Sequence, residues 1–437
     1  GGTVSLASGA TQSGFGRTGA VNWDTASIKT ATFTAVSGNG YFCNTTAGVF
    51  NITLPASPTA GDIVGLKDYA GTFATYNLTI DRNGSKLDSN EGNRALDTNN
   101  TSLTLVYVDG TQGWKSIEEG TGYIGETYMI ATGGTITCSG SYKIHTFTGP
   151  GTFTVTSLAA SPANDVVDYL VVAGGGGGAP QHGGAGGGGG YRTSYCAPAA
   201  SLPVTATGYP VTVGGGGPGG SVPAPGTDGT NGTSSSFSPI TSAGGGGGGA
   251  WPGRNGLAGG SGGGGGSGTS DPAAGCGGAG DTPPAPVAQG YAGGDGKLYT
   301  ASGGGGGGGG AAVGSDGLPA TPSAGPGGAG AQNNIDGNNY YWAGGGGGGN
   351  HPGTTGGAGG IGGGGGGGSA GCGAGTGGAG GGSAINCGTV GGGATGAGSQ
   401  GGAGGDNSGG GGGGAGNICS QGATGGSGVV IIRYKYQ

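Results

Sequence analysis

Hydrophobic residues in the first quarter of the chain come in short runs separated by polar turn residues. Residues 30–36 (TATFTAV), 49–54 (VFNITL), 63–67 (IVGLK), 76–80 (YNLTI) and 103–108 (LTLVYV) are rich in β-branched and aromatic side chains, the composition of half-buried strands. Pro55, Pro58, Asn83-Gly84 and Asp109-Gly110 punctuate them, the last two being dipeptides that favour tight hairpins. Residues 21–117 therefore predict a small all-β module. Residues 1–20 are small and polar and read as a linker or an arm that docks on a neighbour.

The pattern continues through a β bridge at residues 118–173, with strands expected at 142–147 (YKIHTF), 152–156 (TFTVT) and 166–172 (VVDYLVV). The last of these runs directly into Gly174. Residues 429–436 (VVIIRYKY) make another strong strand, so 429–437 is expected to close the fold. The natural pairing sets 166–172 and 429–436 beside 152–156 in one small sheet, which would clamp both ends of residues 174–428 and turn a floppy insertion into a folded one.

Composition changes the picture in that insertion. Of the 132 glycines, 24 lie in residues 1–173 and 108 in the 264 residues after them, about 41% against a usual ~7%. Collagen needs Gly at every third position, and runs such as 303–310 break that period. Disorder is the other simple reading, because glycine loses the most entropy on ordering and offers nothing to bury. A third is physically available. Gly can adopt a left-handed extended helix with three residues per turn and a rise of about 3.1 Å, whose N–H and C=O groups point outward in three directions. Without side chains such helices can pack hexagonally and satisfy one another's backbone. Each bond contributes only about 0.5–1.5 kcal/mol against about 1–2 kcal/mol to order a residue, so stability must come from a cooperative array clamped at its ends. Interior helices should then accept only Gly, while rim helices carry Ala or Ser on one face, as in 356–360 (GGAGG). An internal repeat supports stacked units: residue 244 onward (GGGGGGAWPGRNGLAGG) and residue 344 onward (GGGGGGNHPGTTGGAGG) follow one plan. The expected fold class is an all-β N-terminal module plus a polyglycine II helix sandwich clamped by a small β-sheet, with essentially no α-helix.

Loops leaving the two ends of such a bundle hold its side-chain chemistry. Tyr191, Arg192 and Tyr195, Trp251 with Arg254, Tyr291 with Lys297 and Tyr299, the triplet Tyr340, Tyr341, Trp342, and Asn350-His351 are the candidates for gripping a sugar or protein face, since aromatics flanked by polar groups bring contact area at low entropy cost. The same residues could instead fold back as small hydrophobic lids. Charged residues are 8% of the chain and the net charge is −7, so no basic stripe suggests nucleic acid. No apolar run of about 18 residues suggests a membrane span. The chain opens on Gly with no secretion signal in view, which reads as a start after processing or at a boundary.

Enzyme chemistry is not expected. His145, His182 and His351 are far apart along the chain, no GxSxG or HExxH pattern occurs, and GxGxxG matches inside poly-Gly lack the strand, helix and acid of a dinucleotide site. His145 sits in a predicted strand and reads as structural, and Asp62, Asp68 and Asp81 read as turn caps. Seven cysteines without a CxxC pair suggest neither a zinc site nor a closed disulfide set, although a bridge such as Cys372 to Cys387 stays open. No cofactor or metal is expected.

Residues 40–71 (GYFCNTTAGVFNITLPASPTAGDIVGLKDYAG), 78–87 (LTIDRNGSKL) and 103–117 (LTLVYVDGTQGWKSI) resemble a β module of tail-fibre proteins of marine and cyanobacterial tailed phages. FTGPGTFTV (147–155), DYLVVAGGGGG (168–178), YPVTVGGGG (209–217) and GGSGVVIIRY (425–434) resemble the glycine-rich domain of phage fibres, and the architecture is similar to the tip adhesins of T-even-like phages. The resemblance implies a virion tail fibre or other extracellular adhesin, attachment to a host surface protein or glycan, and a homo-oligomer, often a trimer. The competing expectation is a self-assembling filament subunit whose arm at residues 1–20 adds a strand to the next copy.

Overall fold

A computed structural model describes residues 21–117, 128–196, 201–223, 226–269, 274–298, 303–318, 323–351, 355–370, 376–393 and 398–436. The arm at 1–20, Tyr299 and Cys372 lie outside the described residues. The chain divides into two compact units, with the boundary at Tyr128 and Met129.

The first unit contains β1 (Asn22–Lys29), β2 (Phe33–Thr34), β3 (Asn39–Cys43), β4 (Phe50–Thr53), β5 (Ile63–Asp68), β6 (Leu78–Asp81), β7 (Arg94–Leu96), β8 (Ser102–Asp109) and β9 (Gly113–Ser116). They form two sheets, β1-β3-β5-β8-β9 and β2-β4-β6-β7. The chain crosses from one sheet to the other at every step from β1 to β6, so β1, β3 and β5 run parallel, as do β2, β4 and β6. The result is a short coil whose alternating inward residues, Ile52, Leu66, Leu78 and Ile80, fill the space between the sheets with Trp114. Antiparallel pairing appears only later, in β5·β8, β6·β7 and β8·β9. The Asp109-Gly110 turn does join a hairpin, with the Asp109 carboxylate accepting from the N–H groups of Thr111 and Gln112 at 2.8 and 2.6 Å. The strand expected at 30–36 shrinks to two residues. Asp68 is buried and accepts from the N–H groups of Gly71, Thr72, Phe73 and Asn100, the backbone-capping role its sequence position suggested.

The second unit contains β10 (Ile130–Thr132), β11 (Thr135–Ser139), β12 (Tyr142–Phe147), β13 (Gly151–Ser157), β14 (Val166–Val172), β15 (Tyr191–Thr193), β16 (Leu202–Pro203), β17 (Gly208–Thr212), β18 (Ser235–Phe237), β19 (Ile240–Ser242), β20 (Ala331–Asn333), β21 (Tyr340–Trp342) and β22 (Val429–Lys435). A central sheet runs β11-β12-β22-β14-β15, with β16 on β14, and a second runs β10-β13-β17-β18-β19. The expected pairing of the two bracketing strands holds, since Val172 lies opposite Val429 and Asp168 opposite Arg433. Their expected third partner does not. Residues 152–156 fall in β13, in the second sheet, and the other neighbour of β22 is β12. The reason is two-sided burial: β22 is apolar on both faces, so it takes the middle of its sheet, while β13 supplies Phe153 to the layer between the sheets. There Phe153 packs edge-on to His145 and Phe237, with ring centroids 5.1 and 5.9 Å away. His145 is buried, bonds the Gly133 carbonyl through Nδ1 at 2.7 Å, and is structural.

The Gly runs between β14 and β22 are extended segments bonded sideways. Along residues 174–179 the N–H groups go in turn to Thr233, Gly426, Gly187, then to Thr230, Ala423, Gly184. Every third residue thus reaches the same neighbour, which defines three residues per turn. The segment 183–190 donates to residues 243–249, 305–308 and 409–412, and accepts from 173–179, 261–264 and 346–349. Those are six neighbours, the hexagonal arrangement side-chain-free helices permit. Burial on the rim has the same period: Gly214, Gly217 and Gly220 are buried while Gly215 and Pro218 are exposed. Ala358 faces outward as the rim pattern suggested.

One expectation fails inside the lattice. Ala185 is completely buried in a helix with six neighbours, so the interior is not purely glycine. It lies two residues beyond the turn at 180–183, and the bond from its N–H to the Gly305 carbonyl is stretched to 3.1 Å against 2.9 and 2.8 Å for those of Gly184 and Gly186. The two copies of the repeat fold alike. In each, the first helix donates to the third, the third to the second and the second to the first, as in Gly246 to Ser261, Gly263 to Leu257 and Leu257 to Gly247. At the rim, side-chain oxygens replace missing lattice carbonyls: Asp228, Asn231, Asn255, Asp295 and Asp316 each accept one N–H from a neighbouring segment at 2.8–2.9 Å.

Candidate functional site

The lattice segments are held at their entry by the sheets, so their termini fall into two groups, and the sequence-predicted residues divide between them. At the sheet end, the β20–β21 hairpin lies over one face of the central sheet. Trp342, Ile335 and Ala343 pack with Ile144, Leu170, Val172, Val429 and Ile431, and Tyr191, Tyr195 and Tyr340 border this cluster. Trp342 is 0% exposed and donates from Nε1 to the Asn333 carbonyl at 3.4 Å. It is a core residue and leaves the set of candidate surface contacts, because its ring fills the space under the hairpin. Tyr340 packs edge-on against it at 6.0 Å. Tyr340 and Tyr341 are half-buried, whereas Tyr291, on a rim segment, is 43% exposed.

Beside the hairpin is a cavity of about 350 Å³, at the small end of the ~300–1,000 Å³ of typical ligand pockets. Tyr191, Arg192 and Tyr195 line it from β15 and the turn after it, Gln332, Asn333 and Asn334 from the hairpin, and Val287 and Ala288 complete the lining with others. The Asn333 amide donates to the Tyr191 hydroxyl at 2.9 Å. Burial pushes the Tyr191 phenol up to about 12, so it keeps its proton at neutral pH. Arg192 donates to the Thr241 carbonyl at 3.1 Å. Tyr195 lies 4.6 Å from the Arg433 guanidinium, which also rests 4.0 Å from the Tyr142 ring. Sequence reasoning found Tyr191, Arg192 and Tyr195 and missed the Gln-Asn-Asn run, whose polarity looked like ordinary turn composition.

At the far end, His182 and His351 stack with centroids 4.6 Å apart and Trp251 meets His182 edge-on at 6.5 Å. These rings cap the helix turns, the lid arrangement weighed against binding. Arg254 pairs with Asp228 at 2.8 Å and donates to the Gly226 carbonyl, which ties two rim segments together. Burial holds His182 down to about 3, and His351 is lowered by the same cause. A neutral His in the folded state with an ordinary value near 6.5 when unfolded takes up a proton on unfolding. Its contribution is fully present above pH 6.5 and is lost as the pH falls toward 3. We therefore expect the second unit to lose about 3 kcal/mol of stability between pH 7 and pH 4 from His182. Melting temperatures over that range should fall less steeply for His182→Asn than for the wild type, and equal slopes would refute the assignment.

Among the described residues no cluster of three His, Cys, Asp or Glu could hold a metal, and no helix is long and apolar enough to cross a membrane. A family model described as a glycine-rich domain matches residues 146–403, from the end of β12 well into the lattice. The chain belongs to this glycine-rich domain family. No curated protein matches the chain. The glycine-rich domain covers the cavity and both aromatic clusters, while the β-coil unit lies outside it.

Proposed function

We propose that the chain is an adhesin, the receptor-binding part of a tailed-phage fibre, which attaches to a protein or glycan on a cell surface. The observation that carries this reading is the cavity bordered by Tyr191, Arg192 and Tyr195, built on a lattice whose backbone is bonded in three directions. A binding site gains from such a support, since groups held rigidly lose little entropy on contact with a partner. Among the described residues His145 is held in the layer between the sheets and the two other histidines cap helix turns.

The test is retention of fluorescently labelled full-length protein on a panel of intact bacterial cells. Saturable binding, competed by unlabelled protein and weakened at least about tenfold by Tyr195→Ala, is the expected result. That drop corresponds to about 1.4 kcal/mol, typical of an aromatic contact at an interface. Protein that ignores every cell type and instead grows into long fibres would show a filament subunit.

A further inference from the structure

Charge around the cavity narrows its ligand. Among the described residues of the lining Arg192 is the one charged side chain and no carboxylate joins it, in a chain whose net charge is −7. A guanidinium carries five N–H donors; one serves the Thr241 carbonyl, and among the described residues the rest have no partner. Arg433 stands behind the Tyr195 ring and forms no ion pair among the described residues. The acid opposite it on β14, Asp168, accepts hydroxyl donors from Ser194 and Ser201 at 3.2 and 2.7 Å. Arg192 therefore supplies the cavity's positive charge, with Arg433 behind the Tyr195 ring rather than in the lining.

The walls are not those of a simple anion hole. Tyrosine rings and the half-exposed Val287 give apolar faces to the C–H side of a sugar ring, and the Gln332, Asn333 and Asn334 amides offer donors and acceptors for hydroxyl groups. We infer that the cavity takes a carboxylated sugar unit, a uronic acid of a surface polysaccharide, with its carboxylate on the free N–H groups of Arg192 and its ring against Tyr195. This rests on the adhesin reading and deepens it. Arginine suits the role because its planar fork matches a carboxylate.

Galacturonate and glucuronate oligosaccharides, their methyl esters and neutral oligosaccharides are titrated into the full-length protein by calorimetry. The acids should bind, the esters and neutral sugars at least about tenfold more weakly. Arg192→Gln should remove that preference and Arg192→Lys restore part of it, with melting temperatures of both variants checked against the wild type. A second readout is alkylation of Cys196, an exposed cysteine in the cavity lining: bound uronate should slow it, read by peptide mass spectrometry, while Cys138 and Cys419, exposed but outside the lining, react as before. Equal affinity for acid and ester, undiminished binding by Arg192→Gln, or unchanged Cys196 reactivity would overturn the assignment. Uronates that fail to bind a protein that still coats cells would sink the sugar assignment and leave the adhesin reading standing. Uronate binding by a protein that coats no cells would do the reverse.

Discussion

Gly411→Val should destabilise the glycine-rich unit by at least about 3 kcal/mol, whereas Gly382→Ala should leave it unchanged or slightly more stable. The two glycines look alike in sequence. A Cβ at Gly411 would lie on the carbonyl oxygen of Gly186, well inside contact distance, with the Gly346 nitrogen 2.9 Å away. Gly411 also donates to Gly344 and accepts from Gly365, so any shift that relieves the clash strains bonds to two neighbours. Overpacking costs about 1–3 kcal/mol and each lost bond about 0.5–1.5 kcal/mol. At Gly382 nothing lies within 4 Å of the added carbon, and Ala there restricts the unfolded chain, worth up to about 1 kcal/mol. Calorimetric melting of both variants measures the contrast. Similar behaviour of the two would mean that the lattice is not close-packed.

Trp342→Ala should cost about 3–5 kcal/mol, the range for emptying a buried aromatic site. Its ring sits where the hairpin meets β14 and β22, the two strands that hold the lattice at its start and finish. We expect lost stability together with lost cell attachment, through the fold and not through a missing contact. Tyr195→Ala at the cavity should lower attachment with a much smaller change in melting temperature. Denaturant titration of both variants separates the effects. A Trp342→Ala protein of unchanged stability would return this residue to the surface set.

Those contrasts show what local sequence can carry. The strands at 142–147 and 166–172 were legible to the residue, because β-branched and aromatic residues bounded by turns encode extended backbone directly. The three-residue period of the lattice followed from glycine chemistry alone. Partner choice did not follow: the parallel order of β1, β3 and β5, and the exchange of β12 for β13 beside β22, depend on which faces find burial, which is a property of the assembled layers. Trp342 and Tyr195 flank similar glycine runs, and nothing local says that one ring is covered and the other borders a cavity. Ala185 in the interior and the amides of Gln332 to Asn334 were missed because a methyl group or a turn residue changes meaning with its neighbours.

The place of β22 in its sheet also bears on biosynthesis. It lies between β12 and β14, yet nearly all of the glycine-rich segments separate it from them along the chain. A ribosome delivers the two flanking strands long before the one that joins them, so the glycine runs emerge with no finished wall to register against. Contacts this distant in sequence form slowly. Completion of this unit must therefore wait until residues 429–435 have left the exit tunnel, and a transcript truncated before them would yield an unzipped product.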